Sequence, residues 1–343
     1  MDLSLKIIRT FLYQSRMFKY PKILIPIENI LFRIITVRAK SKLFASYQRY
    51  LKSGIVPDNA MSLIIKANFA TKGNLISDDK FEINTLDYPS NLFTQPQLIE
   101  AVNKLEAQGF AKVGIVLNQK ILSELLRLAN EPCYPANEKK VKKLEDNPNP
   151  SVYHRWHVPS ELVLSNLGVQ QLFLDNFWKF ISDSYLRRPN KISAIRCWHS
   201  FVHSGQEVLS PENWHLDNGD GINFIKFFIL LSDVKDYSGP TSIVPVSSQN
   251  LPRKFFTGRR FSDIEVSKLL KQKKIGEVKA TGPVGLVYVA DTRLLHRGTP
   301  VERGKRFLLN WTVSSDSFGS LKNEKYKIEE ANPLFNSGLI EVF

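Results

Sequence analysis

The stretch that decides the fold is WHLDNGDGINFIKFFILLSDVKDYSGPTSIVPVSSQ, residues 214–249. It opens on His215 and Asp217, one leucine apart. On a strand, side chains at i and i+2 share a face, so this imidazole and this carboxylate point the same way. The turn-forming NGDG follows, then the aromatic and β-branched run INFIKFFILLSDV, a Gly-Pro turn, and the shorter run TSIVPV. Similar runs lie on either side: KISAIRCWHSFVHSG before, GLVYVAD and RFLLNWTVSS after, each bounded by Gly, Pro, Asn or Ser. Several short strands with this punctuation predict a mostly β fold with flanking helices. The core expected is a jelly roll, that is, a double-stranded β-helix of the cupin-like kind. A basic insertion at 253–279 separates two of the runs and reads as helical around SDIEVSKLLKQKK, with Ser262 or Asp263 as cap.

Upstream, Thr94 caps a predicted helix reaching about Gln108, followed by a strand near Phe110–Leu117 and a second helix from Gln119 to Leu128. EKKVKKLEDNPNPS (138–151) reads as a surface loop. Residues 1–66 read as helical with breaks at Pro21, Pro26 and Pro57, and 67–93 as polar and irregular. The expected organisation is a basic, mainly helical N-terminal extension over 1–93, the jelly-roll domain over 94–320 and a C-terminal tail over 321–343.

Composition narrows the class. Of 343 residues, 43% are hydrophobic, with 22 Phe, 11 Tyr and 5 Trp, enough for a large core. The formal charge is 47 − 33 = +14. Eleven Lys/Arg against Asp2 and Glu28 put +9 of it in the first 52 residues. Ile7, Ile8, Phe11, Leu12 and Phe18 recur there at helical spacing among basic residues, a pattern compatible with a helix lying on a membrane surface or on its own domain. No apolar run reaches the length of a spanning helix, and no signal peptide is visible. Two cysteines, Cys133 and Cys197, form no CxxC pair, which points away from a cysteine zinc site and towards a reducing, cytoplasmic setting.

His215 and Asp217 could grip a divalent metal from one side, given a third ligand. His154, His157, His199, His203 and His296 are the candidates. His296 stands out because it follows the strand GLVYVAD, within DTRLLHRGTP. Two histidines and one carboxylate on one face of a metal are the ligand set of non-haem Fe(II) oxygenases. The open positions would take a bidentate 2-oxo acid and O2. The far carboxylate of that acid would need a cation, and Arg306, at the start of the next strand, shares a face with Leu308 and Asn310.

With those residues in place, the sequence resembles the phytanoyl-CoA dioxygenase-like group of Fe(II)/2-oxoglutarate oxygenases. The resemblance covers roughly 97–315. It runs through LEAQGFAKVGIVLNQKILSELLRLA, the 214–249 block, and GPVGLVYVADTRLLHRGTPVERGKRFLLNWTV. It implies Fe(II) on His215, Asp217 and His296, 2-oxoglutarate anchored by Arg306, O2 as co-substrate, and release of succinate and CO2. Asp217 favours hydroxylation, because relatives that halogenate lack a carboxylate there. Two departures stand out. VPVSSQ replaces the family's Pro-Gly-Ser-His turn, and no Ser or Thr sits two residues after Arg306, so Thr299 or Thr312 is expected to assist. Replacing His215 or Asp217 with Ala is expected to abolish turnover and leave the fold largely intact.

Lesser candidates follow. Trp198 and His199 precede the block, and one of them could line the co-substrate pocket, with Trp198 taken as the cofactor-side choice. YHRWH (153–157) offers His154, Arg155 and His157 as a substrate-contacting lid. Asn223 and Lys226 are candidates for the pocket wall, Arg297 for an anionic substrate, and Arg303 and Lys305 for a turn. The substrate expected is a small molecule or a lipid- or glycan-type compound, with peripheral membrane contact through the basic N-terminus as one variant. An AlkB-like nucleic-acid demethylase and a metal-free jelly-roll binding module are the alternatives. No aromatic-basic recognition strip supports nucleic acid as a partner.

Overall fold

The computed structural model describes residues 88–135, 155–187, 190–202, 212–217, 222–247, 250–256 and 259–314, except Leu117, together with seven helical residues between 41 and 49. The rest of the expected N-terminal extension, the 138–151 loop, His154, His203 and the C-terminal tail lie outside the described residues.

The first unit follows its sequence signals. Helix α1 spans Gln95–Gln108, and the Gln97 side chain accepts the Thr94 backbone N–H at 2.8 Å. It ends at Gly109, whose φ of +70° is the left-handed conformation a helix stop needs. Strand β1 is Phe110–Ile115, and helix α2 is Gln119–Arg127, capped by the Asn118 side chain. Packing begins before Thr94: Leu92 and Phe93 are core residues, and the Tyr88 hydroxyl donates to buried Asp183.

Strands β2 (Tyr134–Pro135) and β3 (Arg155–Val158) lead to helices α3 (Ser160–Ser165), α4 (Leu167–Leu174) and α5 (Phe177–Leu186). These three helices had no periodic signature. They are short, and α4 and α5 bury most of their residues, so no polar stripe marks a face. Next come β4 (Lys191–Phe201), β5 (Phe224–Leu230), β6 (Thr241–Ile243), helix α6 (Asp263–Lys273), β7 (Val278–Lys279), β8 (Leu286–Ala290), β9 (His296–Gly298) and β10 (Lys305–Ser314). Ser262 caps α6 reciprocally with Glu265, as its sequence indicated.

Every pairing in the two sheets is antiparallel. The larger sheet has the order β1-β8-β5-β10-β4-β3-β2, the smaller β7-β6-β9. Alternation sorts the side chains of the large sheet. Ile225, Phe227, Ile229, Phe307, Leu309, Trp311 and Val313 join the core that includes α1, α4 and α5. There Trp311 stacks on Phe227 with centroids 5.3 Å apart and meets Phe177 edge-on. Truncating a fully buried tryptophan of this kind costs about 3–5 kcal/mol. The opposite face turns Trp198, Phe228, Leu230, Tyr288 and Leu308 towards the small sheet, where they pack with Ile243. The site is built on this inner face and on the small sheet opposite it.

Candidate metal centre

His215 and His296 are direct cross-strand neighbours. Each donates its backbone N–H to the other's carbonyl at 2.9 Å, so the two side chains leave the pair on one face, with ring centroids 4.3 Å apart. Asp217 follows by alternation, and its N–H is tied to Thr292 O at 2.8 Å on the chain leading into β9. The separation in sequence is thus erased by one short antiparallel pairing. Ligand atoms of His215, Asp217 and His296 lie within 4.8 Å of one another.

The imidazoles are oriented for coordination. Nδ1 of His215 lies 2.7 Å from Asn213 O, and Nδ1 of His296 lies 3.0 Å from Leu294 O. A carbonyl can only accept, so each Nδ1 carries the proton and each Nε2 keeps its lone pair. Both Nε2 atoms face Asp217: His215 is 3.5 Å from Oδ1 and His296 3.5 Å from Oδ2. Burial, reinforced by the neighbouring His215, pulls His296 down to about 4, so it is neutral at pH 7. Burial pushes Asp217 up, but Lys226 first, then the two histidines, outweigh it and hold the carboxyl well below the usual range. Two imidazole nitrogens and one carboxylate, preassembled on one side of a point, fit a divalent ion with open positions opposite.

A polar network fixes the turn before His296. The Arg293 guanidinium spans both carboxylate oxygens of Asp291 (2.9 and 2.8 Å) and reaches Asn223 Oδ1 at 2.8 Å. The Tyr185 hydroxyl of α5 donates to Asp291 at 2.8 Å. The turn is thereby linked to the approach to β5 and to the helical layer. Asn223 was a candidate pocket residue, and it serves here as an anchor for the loop. Arg293 and Asp291 carried no signal, since a surface turn would have the same composition.

Arg306 is buried on the inner face of β10 beside Leu308 and Asn310, as alternation required. Its Nη1 donates to the carbonyl of Gly239, and Nη2 lies 3.4 Å from Ser200 Oγ. Its Nε is buried with no partner. Gly239 has φ +76°, and a Cβ there would come within 2.7 Å of Val301 and 2.9 Å of the Thr299 carbonyl, so the Ser-Gly-Pro turn needs glycine at this point. The Thr299 hydroxyl donates to Pro240 O at 2.7 Å, which braces the same turn. Thr312 is cross-strand from Lys226, six residues along β10 from Arg306. A buried hydroxyl pair escaped the sequence reading: Thr241 Oγ1 and Tyr288 OH lie 3.0 Å apart, and burial lowers the pKa of Arg306 against a smaller opposing pull from Tyr288.

Other candidates separate by face. Trp198 points inward, paired in register with Leu308. His199 points to the helical layer instead, stacked on Phe307 at 4.0 Å, so it lines no pocket on the inner face. Arg155 and His157 sit in strand β3, hydrogen-bonded to β4, which replaces the expected lid with a fixed wall. Arg155 and Arg306 both flank Ser200 in register. Burial and the charge of Arg306 pull Arg155 down to about 10, while buried Glu212 favours the charged form of both. Arg297 leaves the site, lying over Trp214 with an ion pair to Asp263 at 2.7 Å. Arg303 stacks on Tyr237 beside the β9–β10 turn.

No protein-family profile matches this sequence. No curated protein matches it either. Among solved structures it is similar to EctD from S. alaskensis in its apoform, at 13% identity over 78% of this chain and 93% of that one, with a TM-score of 0.48. It is similar to the epimerase SnoN from nogalamycin biosynthesis in complex with Fe3+, alpha ketoglutarate and nogalamycin RO, at 14% identity, 64% and 84% coverage, and a TM-score of 0.46. HygX from Streptomyces hygroscopicus with nickel and 2-oxoglutarate bound gives 14%, 65%, 87% and 0.42.

Proposed function

We propose that this chain is an Fe(II)/2-oxoglutarate-dependent oxygenase on a jelly-roll scaffold of the phytanoyl-CoA dioxygenase-like kind. The observation that carries the proposal is the three-residue cluster, with both histidine Nε2 atoms turned to one carboxylate and a buried arginine on the same inner face. His215, Asp217 and His296 would hold the iron, whose chemistry when loaded is the coupling of O2 reduction to oxidation of the co-substrate and then of the prime substrate.

The protein's own part is positional and electrostatic. Arg306, with an unpartnered Nε, offers its guanidinium to the distal carboxylate of 2-oxoglutarate, and Arg155 adds a second cation two strands away. Tyr288 and Thr241 supply hydroxyls at that end. Trp198, Phe228, Leu230 and Leu308 keep the interior apolar and exclude bulk water. Hydroxylation of a small-molecule or lipid- or glycan-type substrate is the outcome favoured, because Asp217 fills the position a halide would need. No helix among the described residues is long and apolar enough to cross a membrane, and a cytoplasmic location, with or without peripheral membrane contact through residues 1–93, belongs to the same proposal.

The test is an anaerobic titration of the apoprotein with Fe(II) and 2-oxoglutarate, followed by visible absorption. A metal-to-ligand charge-transfer band that needs both additions, and succinate release on admitting air, would support the reading. Absence of both, with folded protein, refutes it and leaves a metal-free binding module. Salt-sensitive DNA or RNA binding would favour the demethylase reading instead.

A further inference from the structure

One buried charge in the site has no counterpart in the three-ligand scheme. Strand β5 is buried along its whole length, and its sequence is FIKFFIL. A lysine in such a strand needs a partner to offset desolvation. Lys226 Nζ lies 2.8 Å from Asp217 Oδ2, with the lysine side chain 8% exposed and the carboxylate 21%. The Phe224 ring lies 5.7 Å from the same ammonium. The carboxylate that would carry the site's only formal negative ligand charge is therefore already paired with a cation.

Resting on the metal reading above, we propose that Lys226 makes retention of the divalent ion conditional on the anionic chelating co-substrate. A metal entering the cluster meets two imidazoles and a carboxylate whose charge the ammonium offsets. Its attraction is weaker than a His2Asp set alone would give, and the nearby like charge adds repulsion. Once the metal is in, the cluster and Lys226 sum to (+2) + (−1) + (+1) = +2. Without the lysine the sum would be +1. The extra charge favours an anionic chelator, so the lysine weakens the first binding event and strengthens the second. By linkage, the chelator must tighten the metal by the same factor as the metal tightens the chelator. Lys226 is a positioning residue that acts through Asp217.

The experiment uses the full chain, Mn(II) as the ion and N-oxalylglycine as a redox-inactive stand-in for 2-oxoglutarate. Free Mn(II) is read by electron paramagnetic resonance, with and without the chelator. In the natural protein the chelator should tighten Mn(II) by at least about tenfold, and Lys226→Met should bind Mn(II) alone about tenfold more tightly while losing most of that coupling. Lys226→Gln, which keeps a polar head for Asp217, should move in the same direction, and Lys226→Arg should restore the natural values. Circular dichroism confirms that each variant is folded. If the natural protein couples the two ligands and the neutral variants match it, or bind Mn(II) more weakly, the role of Lys226 is overturned and the metal site stands. If the natural protein takes no Mn(II) in either condition, both readings fall.

Discussion

Replacing Asp217 with alanine removes more than a metal ligand. It strands Lys226 in a strand with no exposed residue, 2.8 Å from where its counter-ion had been. Breaking a buried ion pair from one side costs about 3–5 kcal/mol, and replacing both partners with apolar groups is close to neutral. Asp217 retains some exposure, which places the expected loss for Asp217→Ala at the lower end, about 3 kcal/mol. For a domain of this size that is a fall in Tm of about 6–12 °C. The structure therefore revises the expectation that this substitution leaves the fold largely intact. The double variant Asp217→Ala/Lys226→Met should recover most of the loss, to within about 1 kcal/mol of the natural protein. His215→Ala disturbs no such pair and is the cleaner probe of the metal site. The assay is equilibrium urea unfolding at pH 7 by far-ultraviolet circular dichroism, with chelator present throughout so that lost metal binding contributes nothing. Equal midpoints for Asp217→Ala and the double variant would refute the reasoning, because the cost would then not come from the stranded ammonium.

Arg306→Met should weaken 2-oxoglutarate binding by roughly 30- to 5,000-fold, the 2–5 kcal/mol lost when one partner of a buried charge pair is truncated, measured by displacement of N-oxalylglycine from the Mn(II) protein. His199→Phe should stabilise the fold. Both ring nitrogens of His199 are buried without partners, and burial, with Lys305 nearby, pulls the imidazole down to about 4. A histidine with a depressed folded value destabilises progressively as pH falls from about 6.5 towards 4, because the unfolded chain takes up the proton first. The advantage of the phenylalanine variant should therefore widen over that window by up to about 3 kcal/mol, and a constant difference between pH 7 and pH 4.5 in urea midpoints would contradict it. Saturating Mn(II) at about 100 times Kd should raise unfolding free energy by about 2.7 kcal/mol, reversed by excess chelator, and no change in Tm would count against a native-state site.

The strands that carry chemistry were legible because their signal is local. The His-x-Asp pair, the alternation of Arg306 with Leu308 and Asn310, and the caps at Thr94 and Ser262 each depend on neighbours within a few residues. What was not legible depends on the register between distant strands. Nothing in FIKFFIL says that Lys226 meets Asp217, because that contact needs β5 to be placed against the segment holding His215. Thr241 and Tyr288 meet across two different sheets, and Arg155 reaches the row of Ser200 and Arg306 through the β3–β4 pairing. YHRWH was offered as a substrate-contacting lid because His154, Arg155 and His157 fall in one short segment after a loop. As a strand it hides Trp156 and Val158 on one face and turns Arg155 and His157 to the other, which is alternation in too short a segment to be recognised.

The charge arrangement of the inner face explains how so many ionisable groups coexist with an apolar core. Arg155 and Arg306 face one buried acid, Glu212, while Lys226 faces Asp217. Three cations against two carboxylates leave one positive charge over among these five groups, and burial disfavours that surplus strongly. A divalent ion alone would enlarge it. A co-substrate that brings two carboxylates, one beside the metal and one beside Arg306, reduces it at both ends. With the ion alone the sum is (+1) + (+2) = +3, and the dianion brings it back to (+1) + (+2) + (−2) = +1, the value of the empty site. On the proposed reading these charges favour a dianionic chelator over a neutral one before any shape is considered, and a neutral 2-oxo compound of the same length should bind the Mn(II) protein far more weakly than 2-oxoglutarate.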